Sequence, residues 1–185
     1  MGSVISRFTD TIGTVSGITN VDNFLVDGGS TNPTITSGAT FTLRGFPTGV
    51  GALAIPLTAT MIGIQFRVIV TSLSDTGLQV TCIPKIGATI DGSTLTHNFN
   101  SAPAVVFGGV NGDAGDDLGF SAANFTPGNM SNFRIETTFN SFTGTSTLQK
   151  LFCFEPTFAY TLPFSNKVYT ASGKVSITSG KVSIT

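Results

Sequence analysis

The run from Met61 to Thr71 constrains the fold more than any other stretch of the chain. In it Ile62, Ile64, Phe66, Val68 and Val70 alternate with Gly63, Gln65, Arg67, Ile69 and Thr71. A period of two held this long belongs to a β-strand with one buried face, because a helix would bring apolar residues together every three or four positions. Gln65 and Arg67 then point away from the core. A lone strand buries nothing, so this one requires a sheet.

Similar alternation recurs along the chain. Ala39 to Leu43 puts Phe41 and Leu43 on one face, and Leu78 to Ile83 does the same with Leu78, Val80 and Cys82. Phe133, Ile135 and Phe139 face inward opposite Arg134 and Glu136. Val21 to Val26 reads as a short strand ending at the turn Asp27-Gly28-Gly29-Ser30. The turn at Ser74 to Gly77 predicts a hairpin between the Met61–Thr71 strand and the Leu78–Ile83 strand. Thr147 to Tyr160 is a long β-like run interrupted by Pro156, which a central strand does not accommodate. No stretch combines a 3.6-residue apolar period with helix caps. The expected fold is all-β, an antiparallel β-sandwich of jelly-roll type with extended N- and C-terminal arms. Residues 1–20 would be an arm or edge strand, 21–165 the sandwich, and 166–185 a second arm.

Charged side chains make up 10% of the 185 residues, against roughly 25% in ordinary globular domains. Sixteen Phe supply apolar mass without any Trp, which excludes a disordered chain. The nine basic residues are scattered and the net charge is −1, so no nucleic-acid partner is expected. No run approaches the ~18 apolar residues of a membrane span, and no membrane partner is expected. The first residues carry no charged-then-apolar leader, which predicts assembly in a cytoplasm.

The densest cluster of glycine and acid lies between Phe107 and Phe120, with Asp113, Asp116 and Asp117 and five glycines. These carboxylates are weak metal candidates. Their spacing lacks the alternating Asp ligands and the bidentate Glu of an EF-hand loop, and Gly and Asp serve equally well in an irregular corner. No metal or other cofactor is therefore expected. His97 is the only histidine, in Leu95-Thr-His-Asn-Phe99, and no Gly-x-Ser-x-Gly elbow accompanies it. The chain is not expected to be an enzyme, and His97 is expected to face solvent or to be hydrogen bonded within a strand. Cys82 and Cys153 each sit in an apolar run and read as buried thiols.

The tail holds three copies of one seven-residue unit: Lys167 to Gly173, Lys174 to Gly180 and Lys181 to Thr185. An odd repeat flips the side-chain face in each copy unless Ser-Gly forms a turn. The unit therefore folds as a small meander of five-residue strands or runs as an extended arm with glycine hinges. Lys167, Val168, Lys174, Val175, Ile177, Lys181, Val182 and Ile184 are the candidate assembly residues, since such short strands need a sheet edge.

Two segments read together carry a resemblance. One is Leu53-Ala-Ile-Pro56 followed by Ala59 to Val68; the other runs through Phe107-Gly-Gly, Asp116-Asp-Leu-Gly119, Phe125-Thr-Pro127 and Asn132-Phe133. Over about residues 39–160 they resemble a β-sandwich module of tailed-bacteriophage virion structural proteins. Leu118 stands where that pattern often has Trp, and Phe158-Ala-Tyr160 stands for its closing Tyr-Tyr strand. The resemblance implies a place in a virion, with copies of this chain and other virion proteins as partners. Capsid or head decoration is favoured over neck, tail or fibre. The alternatives are a subunit of an extracellular filament joined by donated strands, and a β-sandwich that binds a glycan receptor.

Overall fold

A computed structural model describes residues 1–25, 30–46, 55–72, 77–100, 103–109, 118–150, 153–163, 169–170, 173–178 and 181–184, the last three ranges as backbone. The chain is nearly all β, in one large open antiparallel sheet. Its strands are β1 (Gly2–Ile5), β2 (Asp10–Thr19), β3 (Thr34–Arg44), β4 (Thr60–Ser72), β5 (Gln79–Ile86), β6 (Ile90–Asp91), β7 (Leu95–Asn98), β8 (Ala104–Gly109), β9 (Phe133–Asn140), β10 (Thr145–Leu148) and β11 (Thr157–Thr161). The path across the sheet is β1-β11-β4-β10-β3-β9-β5-β6, with β2 beside β3, β7 beside β5 and β8 beside β4.

β4 is the hinge of this arrangement. One of its edges carries β8, from Ile64↔Gly109 to Ile69↔Ala104. The other carries β11 along its first half and β10 at its end. β10 leaves β4 after two residue pairs, and its Thr145–Thr147 segment is laddered to Thr34–Thr36 of β3. The sheet turns a corner there. Beyond it, Phe133 of β9 packs edge-on against Phe158 of β11 at 5.8 Å, although four steps of the strand order separate those strands. Phe41 of β3 meets Phe154 in the same way at 5.5 Å. The apolar faces of the two halves therefore share one core.

Thirteen of the fourteen Phe among the described residues are buried in that core. Core packing, not ligand stacking, accounts for them. Phe8 and Phe46 join Phe133 and Phe158 in one ring cluster; Phe24, Phe41, Phe139 and Phe154 form another. Stacked and edge-on ring pairs such as these are worth about 0.5–1.5 kcal/mol each beyond area burial.

The inward face of the long strand holds from Ile64 to Val70, and Gln65 and Arg67 do face away. Ile62 departs from it. Tyr160 pairs with Met61 and Ala159 with Gly63, so Ile62 is the extra residue of a β-bulge. The bulge reverses the face, and Met61 is buried in place of Ile62. The inward set Phe133, Ile135 and Phe139 is fully buried as expected.

Two local expectations are corrected. Val21–Phe24 is one 3-10 turn, entered through left-handed Asn20, and among the described residues of that stretch only Leu25 makes a bridge, to Phe8, while Val26 lies outside them. Asp22 and Asn23 favour turns over ladders, and Asn23 hydrogen bonds through its side chain to the Thr31 carbonyl. The hairpin between β4 and β5 is not formed. β5 pairs instead with β9 from Gln79↔Asn140 to Ile86↔Phe133 and with β6 and β7. Both edges of β4 are already occupied, so β5 joins the other half of the sheet.

The run Thr147–Tyr160 is broken over a wider span than Pro156 alone, since Phe154 adopts φ 57° between β10 and β11. Residues 1–20 supply strands that pair within the sheet, β1 with β11 and β2 with β3. The tail forms a separate three-stranded meander, β12 (Tyr169–Thr170), β13 (Gly173–Thr178) and β14 (Lys181–Ile184).

Candidate functional site

The Gly/Asp loop lies outside the described residues from 110 to 117, and Asp113, Asp116 and Asp117 with it. Its two ends are held tightly. Gly108 has φ +74°, and a Cβ there would sit 2.1 Å from the Ile64 carbonyl oxygen. Gly119 has φ +76°, and its Cβ would meet the Ser93 backbone nitrogen at 2.6 Å. Leu118 between them is buried, and its carbonyl accepts from the Ser93 N–H. Only glycine fits such contacts at positive φ. No cluster of three or more His, Cys, Asp or Glu that would hold a metal occurs among the described residues.

Of the assembly residues, Lys167 and Val168 lie outside the described residues. The other six lie on β13 and β14. Val175 pairs with Ile184 and Ile177 with Val182, while Thr178↔Lys181 closes the hairpin. In this register Val175, Ile177, Val182 and Ile184 occupy alternate, mutually paired positions of the ladder. β12 joins with Tyr169↔Lys174 and Thr170↔Gly173.

The edges of the main sheet differ in their protection. β2 is interrupted by register shifts between Ile12 and Ser16 and between Ser16 and Ile18, with Gly13 and Gly17 at positive φ. Such bulges spoil an edge for further pairing. β1 and β8 pair in register along their lengths and carry no charged side chain. Among the described residues no strand covers their outer edges. Ile5 on β1 is 67% exposed and Val106 on β8 is 53% exposed.

Between these edges, on the outer face of β1, β11 and β4, lies a pocket of about 180 Å³. It is lined by Ile5, Gln65, Phe66, Arg67, Glu155 and Thr157. The ladders set this constellation. Ile5 lies opposite Thr157, and Thr157 opposite Gln65. One level along, the Phe154 N–H donates to the Arg67 carbonyl, which places Glu155 beside that position. Arg7 donates through Nε to Glu155 Oε1 in a part-buried ion pair, and the Ser6 N–H donates to the Pro156 carbonyl. The outward positions of β4 were legible from its alternation. Their meeting with Glu155 and Ile5, 150 residues apart in the chain, was not.

A second polar group lies across β5, β6 and β9, where Lys85 Nζ is 3.2 Å from Asp91 Oδ1 and 3.0 Å from Glu136 Oε2. The hydrogen bond that Lys85 donates to Glu136 is the main cause that raises the Lys85 pKa, and Asp91 adds to it against partial desolvation. This is a surface clamp on three strands, of the kind worth little individually. Arg44 and Asp10 pair similarly at 3.0 Å across β2 and β3.

Cys82 and Cys153 are both free and buried. Burial pushes the Cys82 thiol up to about 12, partly offset by a hydrogen bond with Thr137; burial likewise raises Cys153. His97 is half-buried on β7, edge-on to Phe99 at 4.9 Å. Its Nε2 is buried without a hydrogen-bond partner among the described residues. The edge-on contact with Phe99 is one that strand alternation alone does not reveal. No protein-family model matches this chain, and neither a curated protein nor a solved structure is similar to it.

Proposed function

We propose that the chain is a virion structural protein of β-sandwich or jelly-roll type, which self-assembles or docks on a phage particle by adding strands to its neighbours. Capsid or head decoration is favoured over neck, tail or fibre. The observation that carries this reading is the pair of uncharged, in-register edge strands β1 and β8. Natural monomers blunt their edges with charges, proline or bulges, and β2 has its bulges. β1 and β8 remain open to main-chain pairing with another chain. The low overall charge suits a surface covered by neighbours, and the resemblance of residues 39–160 to phage modules points the same way.

Strand donors are available at both ends. The ladder from Gly2↔Tyr160 to Ile5↔Thr157 is formed within one chain here, and the same ladder formed between copies is a low-cost route to an oligomer. The repeat strands of the tail supply a second donor. Sedimentation of the full chain and of a version lacking residues 166–185 tests this. Assembly of the full chain, with loss of assembly on truncation, is expected. A full chain that stays monomeric would exclude the assembly reading; assembly unchanged by truncation would move the donor role from the tail to β1.

A further inference from the structure

We propose that the pocket on the outer face of β1, β11 and β4 binds a single neutral sugar ring. Its volume, about 180 Å³, is several times the ~30 Å³ share of one water in the liquid. It is smaller than the roughly 300–1,000 Å³ of sites for drug-sized ligands. One six-membered ring suits that space, and a disaccharide would extend out of it.

The lining chemistry selects hydroxyls. Every sugar hydroxyl both donates and accepts, so a site for vicinal hydroxyls needs donors and acceptors side by side. Gln65 offers both from one amide, Thr157 offers both from one hydroxyl, Arg67 donates and Glu155 accepts. The Nε–H of Arg7 uses one position on Glu155, and a carboxylate has several acceptor sites. With Arg7, which is paired with Glu155 at the side of the pocket, the group holds two guanidiniums and one carboxylate, so the ring is selected by its pattern of hydroxyls and not by net charge. Ile5, 67% exposed at the rim, presents an apolar surface for the C–H side of a ring.

The site is also positioned firmly. Gln65 and Thr157 are cross-strand neighbours on a continuous ladder. Glu155 is fixed by its ion pair, and buried Phe66 lies beneath. Polar groups that need no reordering lose less on binding. The pocket needs β1 docked on β11 but no free edge hydrogen bond, so it forms in the same way whether β1 comes from its own chain or from a neighbour.

Saturation-transfer NMR on the full chain, with the neutral methyl glycosides of glucose, galactose, mannose and N-acetylglucosamine, tests the proposal; sialic acid serves as an anionic control. At least one neutral glycoside is expected to bind, in the millimolar range typical of so few contacts, about 1 mM or weaker. Gln65→Ala and Ile5→Ser change outward-facing residues and should leave the thermal midpoint unaltered. Each should weaken binding, by up to about tenfold for the lost hydrogen bonds of Gln65. The absence of transfer from every neutral glycoside at about 20 mM, well above that range, would overturn the proposal. So would binding of sialic acid alone, which would make this an anion site, or neutral binding indifferent to both substitutions.

Discussion

At Gly108 the backbone adopts φ +74° while lying against the Ile64 carbonyl, so both the conformation and the space exclude a side chain. Gly108→Ala should therefore destabilise the fold by about 1–3 kcal/mol, read as a lower denaturation midpoint. An unchanged midpoint would mean that β8 does not approach β4 as described. Phe66, 1% exposed and in contact with Phe107 at 5.4 Å, is the corresponding core residue of β4. Its replacement by Ala should cost about 3–5 kcal/mol, and a loss below roughly 1 kcal/mol, the cost of one Ile→Val change, would contradict the face assignment. The two thiols give a prediction in pH. Their folded pKa values lie above the ordinary 9.0, so their contribution to stability is complete below pH 9.0 and is lost as pH rises toward about 12, where Cys82 ionises in the fold. Chemical denaturation between pH 8 and 10 should show stability falling only above 9, with Cys82→Ala and Cys153→Ala flattening that fall. At pH 8 neither native thiol should react with a thiol reagent until denaturant is added, and rapid native labelling would show that they are not buried.

At the level of elements, alternation identified strand faces well and strand partners poorly. The buried faces of β4, β5 and β9 follow from their period of two, because burying one face is a property each strand carries in its own sequence. The bulge at Ile62 is invisible in that pattern, since its cause is the register of β11 against β4. Pro84 shows the same division. It lies inside β5, between β9 and the β6–β7 side, where a proline is not expected. Its carbonyl accepts from the Gly92 N–H on the β6–β7 side. In an antiparallel strand a residue's nitrogen faces the same way as its carbonyl. The missing N–H therefore falls in the gap between β7, which ends its pairing at Cys82, and β6, which begins at Lys85. The seven-residue tail repeat was legible as short strands, and it is the pairing of neighbouring copies, seen in Thr178↔Lys181 and Val175↔Ile184, that selects the meander over the extended arm.

At the scale of the whole molecule, no strand among the described residues covers the outer edges of β1 and β8, and the truncation experiment addresses that feature. The candidate pocket exists only at this scale. Its residues come from β1, from β4, and from β11 with the segment just before it, and no local motif links Ile5, Gln65 and Glu155. The absence of metal-loop spacing around Asp113, Asp116 and Asp117 was readable from the chain, as was the structural use of the glycines at both ends of that loop. From the sequence alone came the all-β class, the inward faces of the main strands, the burial of Phe, and the repeat in the tail. These are short-range properties, set by side-chain alternation and turn residues within a few positions. The tertiary structure decided which strands pair, that β5 leaves β4 for β9, where the sheet turns its corner at β10, and which polar residues meet on the outer face. Pairing depends on which hydrogen-bonding edges remain unoccupied once every other strand is in place, and no single segment encodes that.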